Sequence, residues 1–336
     1  MGMRLSEVAA HAGVSEATVS RVLNDRPGVA QATREAVLTS VDVLGYDRPS
    51  ALQRQMVGMV GLIVPELTNP IFPVFAQTIQ TSLASSGYTA VLCTQAPGGV
   101  HEDDYLGMLL ARGVAGVIFV SGQHANLDVG VERYLALRSR GLPMVLVNGH
   151  RDEIDAPSLS NDEAAAVDLA VSHLVSLGHE RIGLATGQHR YVPVVRKVEA
   201  FDRIMRERVG VDDPSELVAE TWFSVEGGVL AARTLLDRGA TAIVCGSDLM
   251  ALGVVRAVRQ AGLRVPEDVS VVGYDGALIS GYTDPPLTTV RQDVGAMCEA
   301  AVRALVDEIG GRPQPRGDAL YAPELVVRAS TTRVRT

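Results

Sequence analysis

Apolar and polar positions follow two different periods along this chain. Up to about residue 45 the spacing is helical. Val19, Val22 and Leu23 fall three and four apart, while Glu16, Ala17, Ser20 and Arg21 take the opposite side. The pattern predicts three short helices. The first is a run over 5–10 that breaks at Ala12-Gly13-Val14. The second covers 15–24, with Ser15 placed as its N-cap, and the third covers 33–45, closed by Gly45. Gly13 supplies the tight turn that lets two short helices pack at a steep angle, the helix-turn-helix arrangement. A plain three-helix cap on a globular domain has the same spacing. The face of small hydrogen-bonding side chains on the second helix nevertheless suits the edges of base pairs, and Arg21 has the reach to donate twice to a guanine.

From residue 57 onward the period changes. Apolar runs of strand length stand at 59–64, 89–93, 116–120, 144–147, 181–185, 242–245 and 269–273. Amphipathic stretches of helix length alternate with them, at 73–86, 164–177, 229–236 and 250–261. Such alternation predicts doubly wound parallel sheets, so the fold class is α/β behind an all-α front end. Seven strands exceed one compact sheet, and 161–178 begins a second cycle like the first; two similar lobes are expected. Open α/β sheets bind ligands beyond the carboxyl ends of their strands. That rule selects Ser121, Asn148, Ser247, Asp248 and Asp275, hydrogen-bonding types suited to a hydroxyl-rich small molecule.

Charge sharpens the division. The net charge of −9 argues against a nucleic-acid partner for the chain as a whole. Up to Met56, however, six acids are matched by six arginines, so the excess lies in the remainder. DNA affinity must then come from a small oriented unit used twice, with a moderate salt slope. No apolar stretch approaches the length of a membrane span and the start lacks a basic-then-apolar signal segment, so a cytoplasmic protein is expected. Cys93, Cys245 and Cys298 form no CxxC pairing and read as reduced core residues.

The string Leu5-Ser6-Glu7-Val8-Ala9-Ala10-His11-Ala12-Gly13-Val14-Ser15, followed by Ala17-Thr18-Val19-Ser20-Arg21-Val22-Leu23-Asn24, resembles the headpiece of the lac repressor (LacI/GalR) family of bacterial transcription regulators. Three later segments extend the resemblance over nearly the whole chain: 177–183 (LGHERIG), 265–275 (VPEDVSVVGYD) and 285–292 (PPLTTVRQ). It implies a helix-turn-helix headpiece over 1–48, a hinge helix and linker over 49–57, and a core over 58–336 like a periplasmic sugar-binding protein. Within the core, the first lobe would span 58–158 plus 289–320 and the second 161–286 plus 323–336. Three crossovers would lie near 158–160, 286–289 and 321–323, with the ligand in the cleft between lobes. The resemblance makes Glu16, Ala17 and Arg21 the readers of bases and gives Ser15, Thr18 and Ser20 mainly to phosphates. It adds Ala51 and Met56 from the hinge, Met56 standing where the family has a leucine wedge. For the effector it implies Phe72, Phe223 (with Trp222 as the alternative stacker), Lys197 and an acceptor role for Asp275, beside Ser121, Asn148 and Ser247. Lys197 departs from the family's arginine, with Arg196 next door as a substitute if the register slips.

The function so implied is a sequence-specific DNA-binding regulator, a repressor controlled by a small-molecule effector of sugar type. It would act as a homodimer on double-stranded, pseudo-palindromic operator DNA, a tetramer being left open, with no cofactor, metal or membrane. A sugar carrier without specific DNA binding is the alternative, and an enzyme using Asp275 and Lys197 for acid–base work is the more distant one. No GxSxG, Walker-type, HExxH or GxGxxG motif stands in a strand-to-helix context. Residues 101–104 (HEDD) have metal-capable side chains but read as a solvated helix start.

Overall fold

Helices α1 (Leu5–Ala12), α2 (Glu16–Leu23) and α3 (Gln31–Leu44) occupy the helical stretch. In this computed structural model the described residues are 5–23, 26, 28–45, 56–95 and 99–335. The Ser15 hydroxyl accepts from the Thr18 amide at 3.2 Å, the N-cap bond its position foretold. Gly13 and Gly45 take φ of +65° and +60°, the left-handed geometry that ends a helix at little cost for glycine. Val8, Ala9, Val19, Val22, Leu23 and Val37 bury the shared apolar face.

Residues 57–336 form a separate compact unit. It opens with β1 (Gly58–Val64), α4 (Ile71–Ser85), β2 (Tyr88–Thr94), α5 (Glu102–Ala111), β3 (Gly116–Val120), α6 (Glu132–Ser139), β4 (Met144–Val147) and β5 (Pro157–Asn161). A second cycle follows: α7 (Glu163–Ser176), β6 (Ile182–Thr186), α8 (Val192–Ile204), β7 (Val218–Glu220), α9 (Val225–Asp237), β8 (Ala242–Cys245), α10 (Asp248–Gln260), β9 (Ser270–Asp275) and β10 (Thr288–Arg291). The chain then closes with α11 (Val294–Ile309), β11 (Gly317–Tyr321) and β12 (Glu324–Val326).

Two six-stranded sheets result, ordered β2-β1-β3-β4-β5-β11 and β7-β6-β8-β9-β10-β12. The first is parallel throughout; in the second only β12 runs antiparallel, against β10. The orders correspond strand for strand, so the second lobe repeats the first. Helix α11 follows a strand of the second sheet yet packs its Met297, Cys298, Ala301 and Leu305 into the first lobe's core with Phe75 and Val120. The cysteines Cys93, Cys245 and Cys298 are buried and free.

The crossovers fall later than the sequence placed two of them. Ser158 and Ser160 lie inside β5, and Thr288 and Thr289 inside β10, so the chain crosses at 162 and again at 292–293. Residues 289–291, expected in the first lobe, therefore belong to the second sheet. Small polar residues disguise both strands: Ser158, Ser160, Thr288 and Thr289 are all buried. Between β11 and β12 the third crossing stands at 322–323.

Candidate functional site

Two sets of residues were singled out, one in each unit. On α2, Ser15, Glu16, Ala17 and Arg21 are exposed and Thr18 and Ser20 half-buried, whereas Val19, Val22 and Leu23 face inward. Thr18 is tied back to Ser15, hydroxyl to hydroxyl at 2.9 Å, which stiffens the start of the helix. Of the hinge pair, Ala51 lies outside the described residues. Met56 is described and 44% exposed.

The other set surrounds a cleft of about 510 Å³ between the carboxyl ends of the two sheets, a volume within the range of small-molecule sites. All seven residues nominated for the effector line it: Phe72, Ser121, Asn148, Lys197, Phe223, Ser247 and Asp275. Ser121, Asn148 and Asp275 end β3, β4 and β9 and carry φ of +46°, +58° and +111°. They are the non-glycine residues with positive φ among those described. Left-handed backbone costs such residues free energy, and its confinement to three strand ends around one cavity marks a functional constraint.

The second lobe supplies most of the cleft's ionisable chemistry. Lys197 on α8 pairs with Glu163 at the start of α7, and both side chains are nearly sealed from solvent. Its Nζ also lies 3.9 Å from the centre of the Tyr274 ring. The Tyr274 hydroxyl donates to Glu163 and accepts from Asn161 Nδ2, each at 2.8 Å. Asp275 accepts from Gln292 Nε2 at 2.8 Å through Oδ1, while its buried Oδ2 has no partner among the described residues. Burial, reinforced by the nearby Asp248 carboxylate, pushes the Asp275 carboxyl well above the usual range; Lys197 and the Gln292 bond oppose the shift. Phe223 reaches the cleft only because residue 187 is glycine. A Cβ there would stand 2.1 Å from the Phe223 ring.

In the first lobe Asn148 and Glu102 are already engaged. Asn148 Oδ1 accepts from the Asn161 amide at 3.1 Å. Glu102 is buried and accepts from Tyr134, from Gln95 Nε2 at 2.8 Å and from the Gln123 amide at 3.1 Å. Its burial corrects the reading of residues 101–104 as a wholly solvated helix start, which holds for the exposed His101, Asp103 and Asp104.

Other candidates fall away. Asp248, nominated as a strand-end residue, is buried behind the cleft, accepting from Thr289 at 2.6 Å and the Ala277 amide at 2.7 Å. Ser247 stays in the lining but spends one lone pair capping α10, accepting from the Met250 amide at 3.2 Å. Trp222 is exposed and is not part of the lining. Arg196 turns from the cleft to Asp318 of the first lobe, so Lys197 holds the inward position. The cleft residues that sequence reasoning missed are Tyr274, Glu163, Gln292 and Glu102. Tyr274 and Gln292 sit within the segments that carried the resemblance; Glu163 and Glu102 look like ordinary first-turn acids.

These features define a class: a helix-turn-helix unit joined in one chain to a two-lobed ligand-binding core. Residues 4–49 match the profile described as bacterial regulatory proteins, lacI family, and residues 171–331 match that of a periplasmic binding protein-like domain. The HTH-type transcriptional regulator reg1 of Streptomyces lividans is 56% identical over 335 residues, covering 98% of this chain and 97% of that one. Among solved structures, the CelR–cellobiose complex superimposes with a TM-score of 0.74 at 31% identity over 98% of this chain and 99% of its own. The lac repressor dimer bound to operator and the anti-inducer ONPF gives 0.70 at 26%, over 99% and 100%. The chain belongs to the LacI family and is a DNA-binding transcriptional regulator controlled by an effector. No helix among the described residues is long and apolar enough to cross a membrane.

Proposed function

We propose that this protein is a cytoplasmic repressor that binds a pseudo-palindromic operator as a homodimer and is switched by a sugar or sugar derivative held between the lobes. Asp275 carries the reading. A buried carboxylate oxygen with an open acceptor position, on a strained strand end, suits ligand hydroxyl groups better than any structural task. The cellobiose bound to CelR and the operator bound to the lac repressor dimer support the same assignment. Base contacts fall to Glu16, Ala17 and Arg21, phosphate contacts to Ser15, Thr18 and Ser20, with Ala51 and Met56 in the minor groove. The boundaries proposed are a headpiece over 1–48, a hinge over 49–57 and the two-lobed core beyond.

Effector binding shifts the population of lobe arrangements, and the operator responds to that population. Linkage makes the coupling reciprocal: an effector that releases DNA binds more weakly to the DNA complex. The cleft is a binding site and not a catalytic one. Lys197 is already paired with Glu163, and Asp275 holds Gln292 through Oδ1, leaving Oδ2 to accept from a ligand.

The test is a gel shift of upstream palindromic DNA by full-length protein, with and without sugars. Asp275→Asn, a residue type that tolerates positive φ, should bind DNA normally and lose sugar affinity by about tenfold or more. An unaltered sugar response in that variant would overturn the assignment.

A further inference from the structure

The charges lining the cleft do not stand free. Lys197, the deeply buried cation of the lining, is cancelled within the wall by Glu163, both side chains being 5% exposed or less. Tyr274 locks the pair by donating to the carboxylate and offering its ring to the ammonium. Arg190, the other cation of the lining, sits on the exposed lip and lies over the Tyr191 ring at 5.2 Å. On the acidic side, Glu102 is satisfied by Tyr134, Gln95 and Gln123, and Glu66 accepts from Thr68 at 2.6 Å. Asp275 alone among these acids offers a buried oxygen without a partner among the described residues.

We propose that Glu163 is a specificity-determining residue: by neutralising Lys197 it makes the cleft selective for an uncharged polyhydroxylated effector over its phosphorylated counterpart. This rests on the sugar reading above. A phosphate brought into the interior needs a cation it does not share, and the desolvation cost of an unpaired buried anion is large. An uncharged ligand meets no such demand. Its hydroxyls donate to Asp275, and Lys197 remains a hydrogen-bond donor without acting as a counter-ion.

The experiment is a thermal-shift and calorimetric comparison on the full-length protein. The neutral probes are glucose, ribose, maltose, cellobiose, lactose and trehalose; the charged ones are glucose 6-phosphate, ribose 5-phosphate and trehalose 6-phosphate. At least one neutral probe should raise the melting temperature, with every phosphate bound tenfold or more weakly. Glu163→Gln, which leaves Lys197 uncompensated, should narrow that gap at least tenfold. The neutral pair Glu163→Gln with Lys197→Gln guards against misfolding: it should keep operator binding and the core's melting transition, bind neutral sugars more weakly for loss of the Lys197 donor, and still favour them over the phosphates. Preference of the unmodified protein for a phosphorylated probe overturns the inference while leaving the sugar reading intact. So does phosphate binding gained by the double variant. Failure of every probe, neutral and charged, removes the sugar reading and the selectivity with it.

Discussion

The headpiece and the cleft solve opposite problems. The residues assigned to DNA around α2 run from its N-cap Ser15 to Arg21, about two turns of one helix. The cleft draws its chemistry from Phe72 to Gln292, through strand ends of two sheets. Among the described residues six buried side chains, four valines with one alanine and one leucine, hold the headpiece together. The core has four apolar clusters, each larger than that. A recognition surface on a single helix needs only that the helix persist. A site assembled across two lobes needs the lobes to meet in register, and the packing of the core, two clusters to each lobe, holds each lobe's share of the site rigid. The difference teaches where each function is vulnerable: DNA binding through local stability, effector binding through individual polar groups.

The harshest way to split the two is Val19→Asp. Val19 is fully buried in a core too small to absorb an unpaired carboxylate, which costs several kcal/mol. Operator affinity should fall more than about a hundredfold while sugar binding and the main melting transition of the core stay unchanged. Simultaneous loss of sugar binding would show that the two units do not fold independently.

A gentler cut goes through Asp248. Burial pushes its carboxyl up to about 6, against the hydrogen bonds from Thr289 and Ala277. An acid that holds its proton more tightly when folded adds stability at low pH and loses it as pH rises. The contribution is full below about 4 and gone above about 6, a loss on the order of 3 kcal/mol. Asp248→Asn should therefore gain stability relative to the parent as pH climbs from 4 to 6, with the difference flat beyond. Denaturant unfolding at a series of pH values measures it; a constant difference across that window contradicts the assignment. Headpiece binding of DNA should be indifferent to the change.

Legibility in the sequence follows the same division. The headpiece helices came from contiguous spacing and a Ser15 cap, both local signals. Ser121, Asn148 and Asp275 were accessible from the strand-end rule because a strand's end is local too, although nothing in the sequence announced their positive φ. Lys197 and Phe223 came only through the resemblance. Helix α11 repeats Met297, Ala301 and Leu305 at four-residue spacing, yet its membership of the first lobe is a matter of topology, which no local window carries. Glu163 and Glu102 stayed hidden for a related reason. Each is a first-turn helix acid by sequence, and its burial arises only where elements distant in the chain close over it. The serines and threonines of β5 and β10 misled in the same way, polar by composition and interior by position.

On the DNA side, Arg21→Ala should cost about 1–3 kcal/mol of specific affinity and relax one operator position, leaving sugar binding untouched. Equal weakening on unrelated DNA would make Arg21 a phosphate contact and blur the contrast between base-reading and positioning residues on α2.

The smallest effect is expected within the core, from the ion pair that joins the lobes outside the cleft lining. Arg196 donates to Asp318 at 2.6 Å, α8 of the second lobe meeting β11 of the first. Close by, Leu127 donates its amide to the Arg190 carbonyl at 2.7 Å and Asn126 bridges Tyr191, so backbone also ties the two lips. Arg196→Met keeps an apolar stem for packing while removing the charge. The arginine is about a third exposed, so solvent screening limits the pair to about 0.5–1 kcal/mol. Effector affinity should fall only about two- to fivefold, and the gap between variant and parent should shrink as salt is raised. A tenfold loss insensitive to salt would mean that Arg196, and not Lys197, meets the ligand. The inward lysine and the outward arginine would then exchange roles.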